Sequence, residues 1–237
     1  MLRDQLEASL NEGAEPTTIK QKYEAFPFGL TRCILYTRAE MARECERWTA
    51  ELLDGSLSDQ ELYQSARRFI DRLFAIHCAR LEKPYWVNKT NALLVYLDRL
   101  AKLYPSARCI HILRDGRDVA RSIISLPWGS KTIKDAAGHW KGHILEGRRK
   151  AKSAGLKYIE IRYEDLLTAP RQVLSQLFTF LEMDADLDRI ARSMNLDTTR
   201  FGGWRESFTD RDNDVFSRTA GDLLVELGYE KAPHRPS

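Results

Sequence analysis

The sequence predicts an α/β fold, a parallel sheet flanked by helices, and three observations predict it. Cys109 to Leu113 is a short apolar run that turns at Asp115-Gly116 into the helical spacing of Val119, Ser122 and Ile123. Tyr158 to Arg162 alternates as a second strand and leads, past Pro170, into a helical pattern at Val173, Leu174, Leu177, Phe178 and Leu181. Helical stretches separate the strand-like runs, and strands joined by helical crossovers lie parallel.

A chain of 237 residues supports one domain of good size, here expected to span residues 1–237. Its 43% hydrophobic and 30% charged residues are ordinary for a globular protein with a substantial core. The formal net charge of +3 gives no ground for a nucleic-acid partner. No apolar run is long enough for a membrane span, and Met1-Leu-Arg-Asp4 lacks the core of a signal peptide, so a cytoplasmic location is expected. Cys33, Cys45, Cys78 and Cys109 are scattered without paired spacing, which argues against a zinc site or a disulfide framework.

Taken in order, Leu2, Leu6 and Leu10 mark an opening helix, and residues 14–37, broken by Pro16, Pro27 and Gly29, read as a loop. Helices follow over Arg38 to Leu53 and Ser58 to Leu81, the second opening on a capping box of Ser58 and Glu61, with Leu62, Phe69, Leu73 and Ile76 on its core face. Pro84 to Asn88 reads as a strand that places Lys89 at its carboxyl end, where open α/β sheets gather ligand-binding residues. The next helix, from Leu93 to Tyr104, makes this strand and the Cys109 strand parallel neighbours.

At the strand-to-helix turn Asp115 is the expected N-cap, Gly116 supplies freedom to turn, and Arg114 stands at the strand's carboxyl end. Open helix amides and cationic side chains converging there suit a phosphate. The competing reading is that Arg114 and Arg117 pair with Asp115 and Asp118 and decorate a helix start. His111 reads as a hydrogen-bonded core histidine, and Trp128 either lines an acceptor or packs. In the helix from about Lys131 to Ser153, His139 and His143 have a metal-like spacing, but no third ligand is evident and no metal is expected. Gly142 and Gly147 repeat the spacing of a phosphate loop inside this helical stretch and lack its Lys-Ser/Thr ending. The basic run Arg148 to Lys152 reads as a solvated helix end. Gly202-Gly-Trp-Arg-Glu206 precedes a terminal helix that ends at Leu227-Gly228-Tyr229.

Arg114-Asp-Gly-Arg-Asp-Val-Ala-Arg-Ser122 resembles the 3'-phosphate-binding segment of bacterial-type sulfotransferases that use the donor PAPS, 3'-phosphoadenosine 5'-phosphosulfate. The resemblance covers roughly residues 85–230 and implies that Arg114 and Ser122 hold the donor's 3'-phosphate. Arg162-Tyr-Glu-Asp-Leu166 resembles a segment whose tyrosine approaches adenine, which assigns that contact to Tyr163. Lys89, in Tyr85-Trp-Val-Asn-Lys-Thr90, matches a lysine that stabilises charge near the breaking sulfur–oxygen bond, the competing reading being a surface lysine. Asn91 follows where the family has Pro or His, so a histidine base is absent at that point. Glu15 falls where one branch of the family carries its general base, with Glu12 and Glu24 as competitors, and Arg205 corresponds to a closing basic loop or is a plain loop arginine.

By this resemblance the fold is a P-loop NTPase-like sulfotransferase core. The family's first strand and its glycine-rich loop for the 5'-phosphosulfate have no counterpart in the sequence, so the chain is expected to be shortened at its amino end. The implied function is in-line transfer of a sulfuryl group from PAPS, leaving PAP, to a hydroxyl or amine of a small-molecule, carbohydrate or peptide acceptor. The alternative is a catalytically inactive adenosine-phosphate-binding or regulatory protein.

Overall fold

In the computed structural model, which describes residues 37–53, 57–198 and 201–231, several helices begin at a side-chain cap, supplied by Ser58, Asp115, Thr132, Asp186 and Thr209. The chain divides into two compact units, Met1–Val87 and Asn88–Ser237.

In the first unit, helix α1 (Arg38–Leu53) and helix α2 (Asp59–Arg80) form an antiparallel-reading pair in sequence. Ser58 caps α2 in the reciprocal box with Glu61 that the sequence specified. Trp48 stacks on Phe69 at 4.7 Å, and its indole N–H donates to Ser65 Oγ, which in turn donates to Glu51. Arg72 joins the pair through Glu44, at 2.6 Å, and Glu51. Leu73 and Phe69 therefore face the partner helix as expected, whereas Leu62 is exposed.

The strand expected over Pro84 to Asn88 does not form. Proline removes a ladder donor, no other described strand pairs with this stretch, and Trp86 instead lies flat on Phe74 at 3.9 Å. Lys89 is consequently not at the end of a strand, and the expected parallel pairing with the Cys109 strand is absent among the described residues.

The second unit opens on a 3-10 turn (Asn91–Tyr96) that runs into helix α3 (Leu97–Leu103). Strand β1 (Arg108–Leu113) follows, then α4 (Gly116–Ile124), α5 (Ile133–Ala154) and strand β2 (Lys157–Arg162). Helices α6 (Tyr163–Thr168), α7 (Pro170–Leu181), α8 (Leu187–Ser193), α9 (Trp204–Ser207) and α10 (Asp210–Glu226) complete it. The architecture is a helix-rich α/β unit in which β1 and β2 pair parallel across the α4–α5 crossover, with Arg108 opposite Lys157 and Leu113 opposite Arg162.

Helix α5 is the scaffold. Thr132 caps its start, and Gly155, at φ 65°, ends it in the left-handed conformation. One face buries Ala136, Ala137, Trp140 and Ile144 against Leu113 of β1, Ala120 of α4 and Phe216, Ala220, Leu223 and Leu224 of α10. Its far end packs Ala151 with Leu97 and Leu156. Gly147, one of the two phosphate-loop-like glycines, lies inside this helix, where a Cβ would sit 3.0 Å from Leu94 Cδ2. It is a packing glycine.

A polar chain crosses the sheet beside this core. His111 Nδ1 lies 2.6 Å from Tyr158 Oη, which donates to Glu160 at 3.0 Å, and Arg148 forks onto both Glu160 oxygens at 2.8 and 2.7 Å while also reaching Glu226. Burial alone would raise the Glu160 carboxyl, but bonds with His111, Arg148 and Tyr158 overcome it and hold it at about 2. The basic run is largely neutralised: Arg149 pairs with Glu146 and Lys150 with Asp98.

Candidate active site

Because β1 and β2 run parallel with Leu113 opposite Arg162, the chain leaves both strands at the same level. The first residue beyond each, Arg114 and Tyr163, therefore meet, with the guanidinium carbon 5.3 Å from the tyrosine ring centroid. The second residues meet as well: the amide of Asp115 donates to Glu164 Oε1 at 3.0 Å. Glu164 is buried, and its other oxygen accepts from Tyr229 Oη at 3.0 Å. Burial, followed by the charge of Glu164, pushes the Tyr229 phenol far up, so it remains a proton donor to that carboxylate. Arg162 lies over the Tyr229 ring, 4.5 Å from its centroid.

The helix start is built differently from the sequence expectation of open amides. Asp115 caps α4 by accepting from the Arg117 amide at 2.9 Å, and the same carboxylate takes Arg117 Nε at 3.0 Å and Nη2 at 2.8 Å. A carboxylate thus already occupies the positive end of the helix. The ion-pair reading is realised for Arg117 with Asp115 and, at 3.9 Å, for Arg114 with Asp118. Arg117 is otherwise buried, donating to the Tyr229 carbonyl at 3.1 Å and lying 3.8 Å from the Trp204 ring. Gly116 also differs from expectation, since its role is close approach: a Cβ would lie 2.5 Å from Trp140 Cδ2 and 2.7 Å from Phe216 Cζ. Trp140 fits there because its indole N–H donates to the Arg114 carbonyl at 3.1 Å.

Asp118 has a partner that the local sequence does not announce. Its side chain is 1% exposed, and its oxygens accept from the amides of Gly202, at 2.6 Å, and Trp204, at 3.0 Å. Arg114 Nη2 is 3.9 Å from the same carboxylate. At the turn so held, Gly202 has φ 76° and Arg205 Nη1 lies 2.6 Å from where its Cβ would be. Arg121 Nη1 lies 2.5 Å from the corresponding point on Gly203. Arg205 rests on Trp204 at 4.7 Å, so this indole carries Arg117 and Arg205.

The structure therefore brings Arg114 and Tyr163 together, sets the exposed Ser122 on α4, which follows Arg114, and ties the Arg205 turn to that helix through Asp118. Lys89 is exposed in the non-strand segment at the start of the second unit. Glu15 lies outside the described residues. Asp118, Glu164, Trp204 and Arg121 were not legible as site-forming residues; the paired glycines before Trp204 were the one available signal.

Residues 10–187 of the chain match the model of the sulfotransferase family. The chain belongs to the sulfotransferase family. The matched residues of this sulfotransferase-family chain include the Arg114–Tyr163 meeting point and Ser122, and end before the Gly202–Arg205 turn. The chain is 25% identical over 217 residues to a protein of Caenorhabditis briggsae described as a putative protein-tyrosine sulfotransferase, covering 80% of this chain and 76% of that protein. A Caenorhabditis elegans protein of the same description is 25% identical over 142 residues, 57% of this chain and 54% of its own length. An uncharacterized protein of Aquifex aeolicus is 25% identical over 151 residues, 60% of this chain and 19% of that protein.

Among the described residues no cluster of three or more His, Cys, Asp or Glu side chains is placed to hold a metal, and His139 Nδ1 lies 2.9 Å from Ser130 Oγ. No described helix is long and apolar enough to cross a membrane.

Proposed function

We propose that this sulfotransferase-family chain transfers a sulfuryl group from PAPS to an acceptor hydroxyl, and that a protein tyrosyl hydroxyl, the class in the nematode relatives' descriptions, is the acceptor. The observation that carries the reading is the meeting of Arg114 and Tyr163 at the shared carboxyl end of two parallel strands, the crevice in which open α/β sheets bind nucleotides. The donor set fits an adenosine phosphate: a guanidinium beside an aromatic ring, a hydroxyl on the helix that follows that arginine, and a turn whose glycines admit further guanidinium groups. PAPS supplies the activated sulfuryl group when bound, and its sulfur–oxygen bond to the 5'-phosphate breaks as a bond to the acceptor oxygen forms.

The chain's own residues divide the remaining work. Arg114 and Ser122 hold the 3'-phosphate, with Arg205 closing from the Gly202 turn. Tyr163 contacts adenine, and its ring is kept in place by Arg114 on one side and by the α6 backbone that carries it. Lys89 stabilises negative charge on the leaving oxygen, and Glu15 takes the acceptor's proton.

The test is incubation of the full chain with radiolabelled PAPS and tyrosine-containing peptides, with Arg114→Ala in parallel. Labelled tyrosine sulfate from the wild type and its loss in the variant are expected. If wild-type chain binds PAP but labels no acceptor, the transferase reading fails and the non-catalytic adenosine-phosphate-binding reading takes its place.

A further inference from the structure

We infer that Arg121 is a further phosphate-binding residue, acting with Arg205 as a two-guanidinium clamp across the Gly202-Gly203 turn. The inference rests on the nucleotide-donor reading above and concerns a residue outside the Arg114 and Ser122 pair.

Three observations carry it. First, the two guanidinium groups approach consecutive residues of one turn, each occupying the space that a Cβ would take: Arg205 Nη1 is 2.6 Å from that point on Gly202 and Arg121 Nη1 is 2.5 Å from it on Gly203. Second, among the described residues neither is ion-paired, whereas Arg117, which shares the Trp204 ring with Arg205, is closed by Asp115. Asp118, the carboxylate at this turn, accepts from backbone amides and makes no ion pair with either guanidinium among the described residues, so an anion brought to the two positive groups has no paired carboxylate to displace. Third, the turn is pinned in advance by the buried Asp118, which accepts from the amides of both Gly202 and Trp204. A binding surface set before the ligand arrives loses less conformational freedom on binding.

The chemistry selects the ligand. A phosphate monoester carries nearly two negative charges near neutral pH and three acceptor oxygens, which two forked guanidinium groups match better than a carboxylate would. Asp118 stands three positions before Arg121 and four before Ser122 on α4, spacings that set side chains along one helix face, so the phosphate in question is the 3'-phosphate assigned to Ser122.

The experiment is calorimetric titration of the full chain with PAP and, separately, with 5'-AMP, which lacks the 3'-phosphate. Arg121→Ala, on an exposed position, is expected to weaken PAP binding about ten- to a hundredfold while leaving 5'-AMP binding unchanged. Gly203→Ala is the second variant. Gly203 has φ −64°, which alanine adopts freely, so its added Cβ displaces the Arg121 guanidinium without backbone strain and should reproduce the selective loss. Arg121→Lys should recover part of it. Unchanged PAP affinity in Arg121→Ala, or equal loss for both ligands, overturns the inference while leaving the donor reading standing. Absence of PAP binding by the wild type overturns the donor reading itself.

Discussion

Asp118 Oδ2 accepts a 2.6 Å hydrogen bond from the amide of Gly202, 84 residues further along the chain. The helix that bears Ser122 thereby holds the turn that bears Arg205, and the carboxylate that also lies 3.9 Å from Arg114 acts as a latch.

Removing the latch leaves two loop amides without their acceptor. Asp118→Ala should cost about 2–4 kcal/mol, at 1–3 kcal/mol for each buried group left unsatisfied and with some relief by water. Urea denaturation measures the cost, and amide exchange at Gly202 and Trp204 should accelerate selectively. A stability equal to the wild type with unaltered exchange would show that the turn is held by something else.

Gly116→Ala sets helix propensity against packing. Alanine gains up to about 1 kcal/mol in a helix, but the added methyl would lie 2.5 Å from Trp140 and 2.7 Å from Phe216 in the main core. Overpacking of a tight core costs about 1–3 kcal/mol, so the net effect is destabilising. A raised thermal midpoint would contradict the close packing.

For ligand affinity, Arg114→Ala should weaken PAP binding by about 1.5–3 kcal/mol, the usual worth of a hydrogen bond to a charged group. Calorimetry reads this directly, and an unchanged dissociation constant removes Arg114 from the site.

Acid should loosen the sheet through Glu160. Its carboxyl is held at about 2 in the folded chain, against about 4.3 when unfolded. The contribution is therefore fully present above the unfolded value and is lost as pH falls from about 4 toward 2. Because the group is partly solvent-accessible, the loss is on the order of 1–2 kcal/mol. Chemical denaturation at pH 6 and pH 3 should show a smaller acid loss in Glu160→Gln than in the wild type; equal losses would mean that other carboxylates govern acid sensitivity.

Much of the local structure was legible because it depends on residues within about four positions of one another. Ser58 with Glu61, Asp115 at the start of α4, the apolar run of β1 and the alternating pattern of β2 all form as read. The segment Pro84 to Asn88 was misread because strand residues are stabilised only by a neighbouring strand, and a stacking partner, Phe74, was available to Trp86 instead. Gly116 was recognised as special for the wrong reason, since what demands glycine is Trp140, 24 positions later in the chain, approaching its backbone.

Residues close together along the chain were enough to read the caps at Ser58 and Asp115, the two paired strands, the helices between them and the family-like segment from Arg114 to Ser122. Folding in three dimensions was needed to bring Arg114 to Tyr163, to join Asp115 to Tyr229 through Glu164, and to draw Gly202 and Trp204 to Asp118 at the start of α4. Those contacts follow from strand register and from the shape of the core under α5, and neither is encoded in any short stretch of chain.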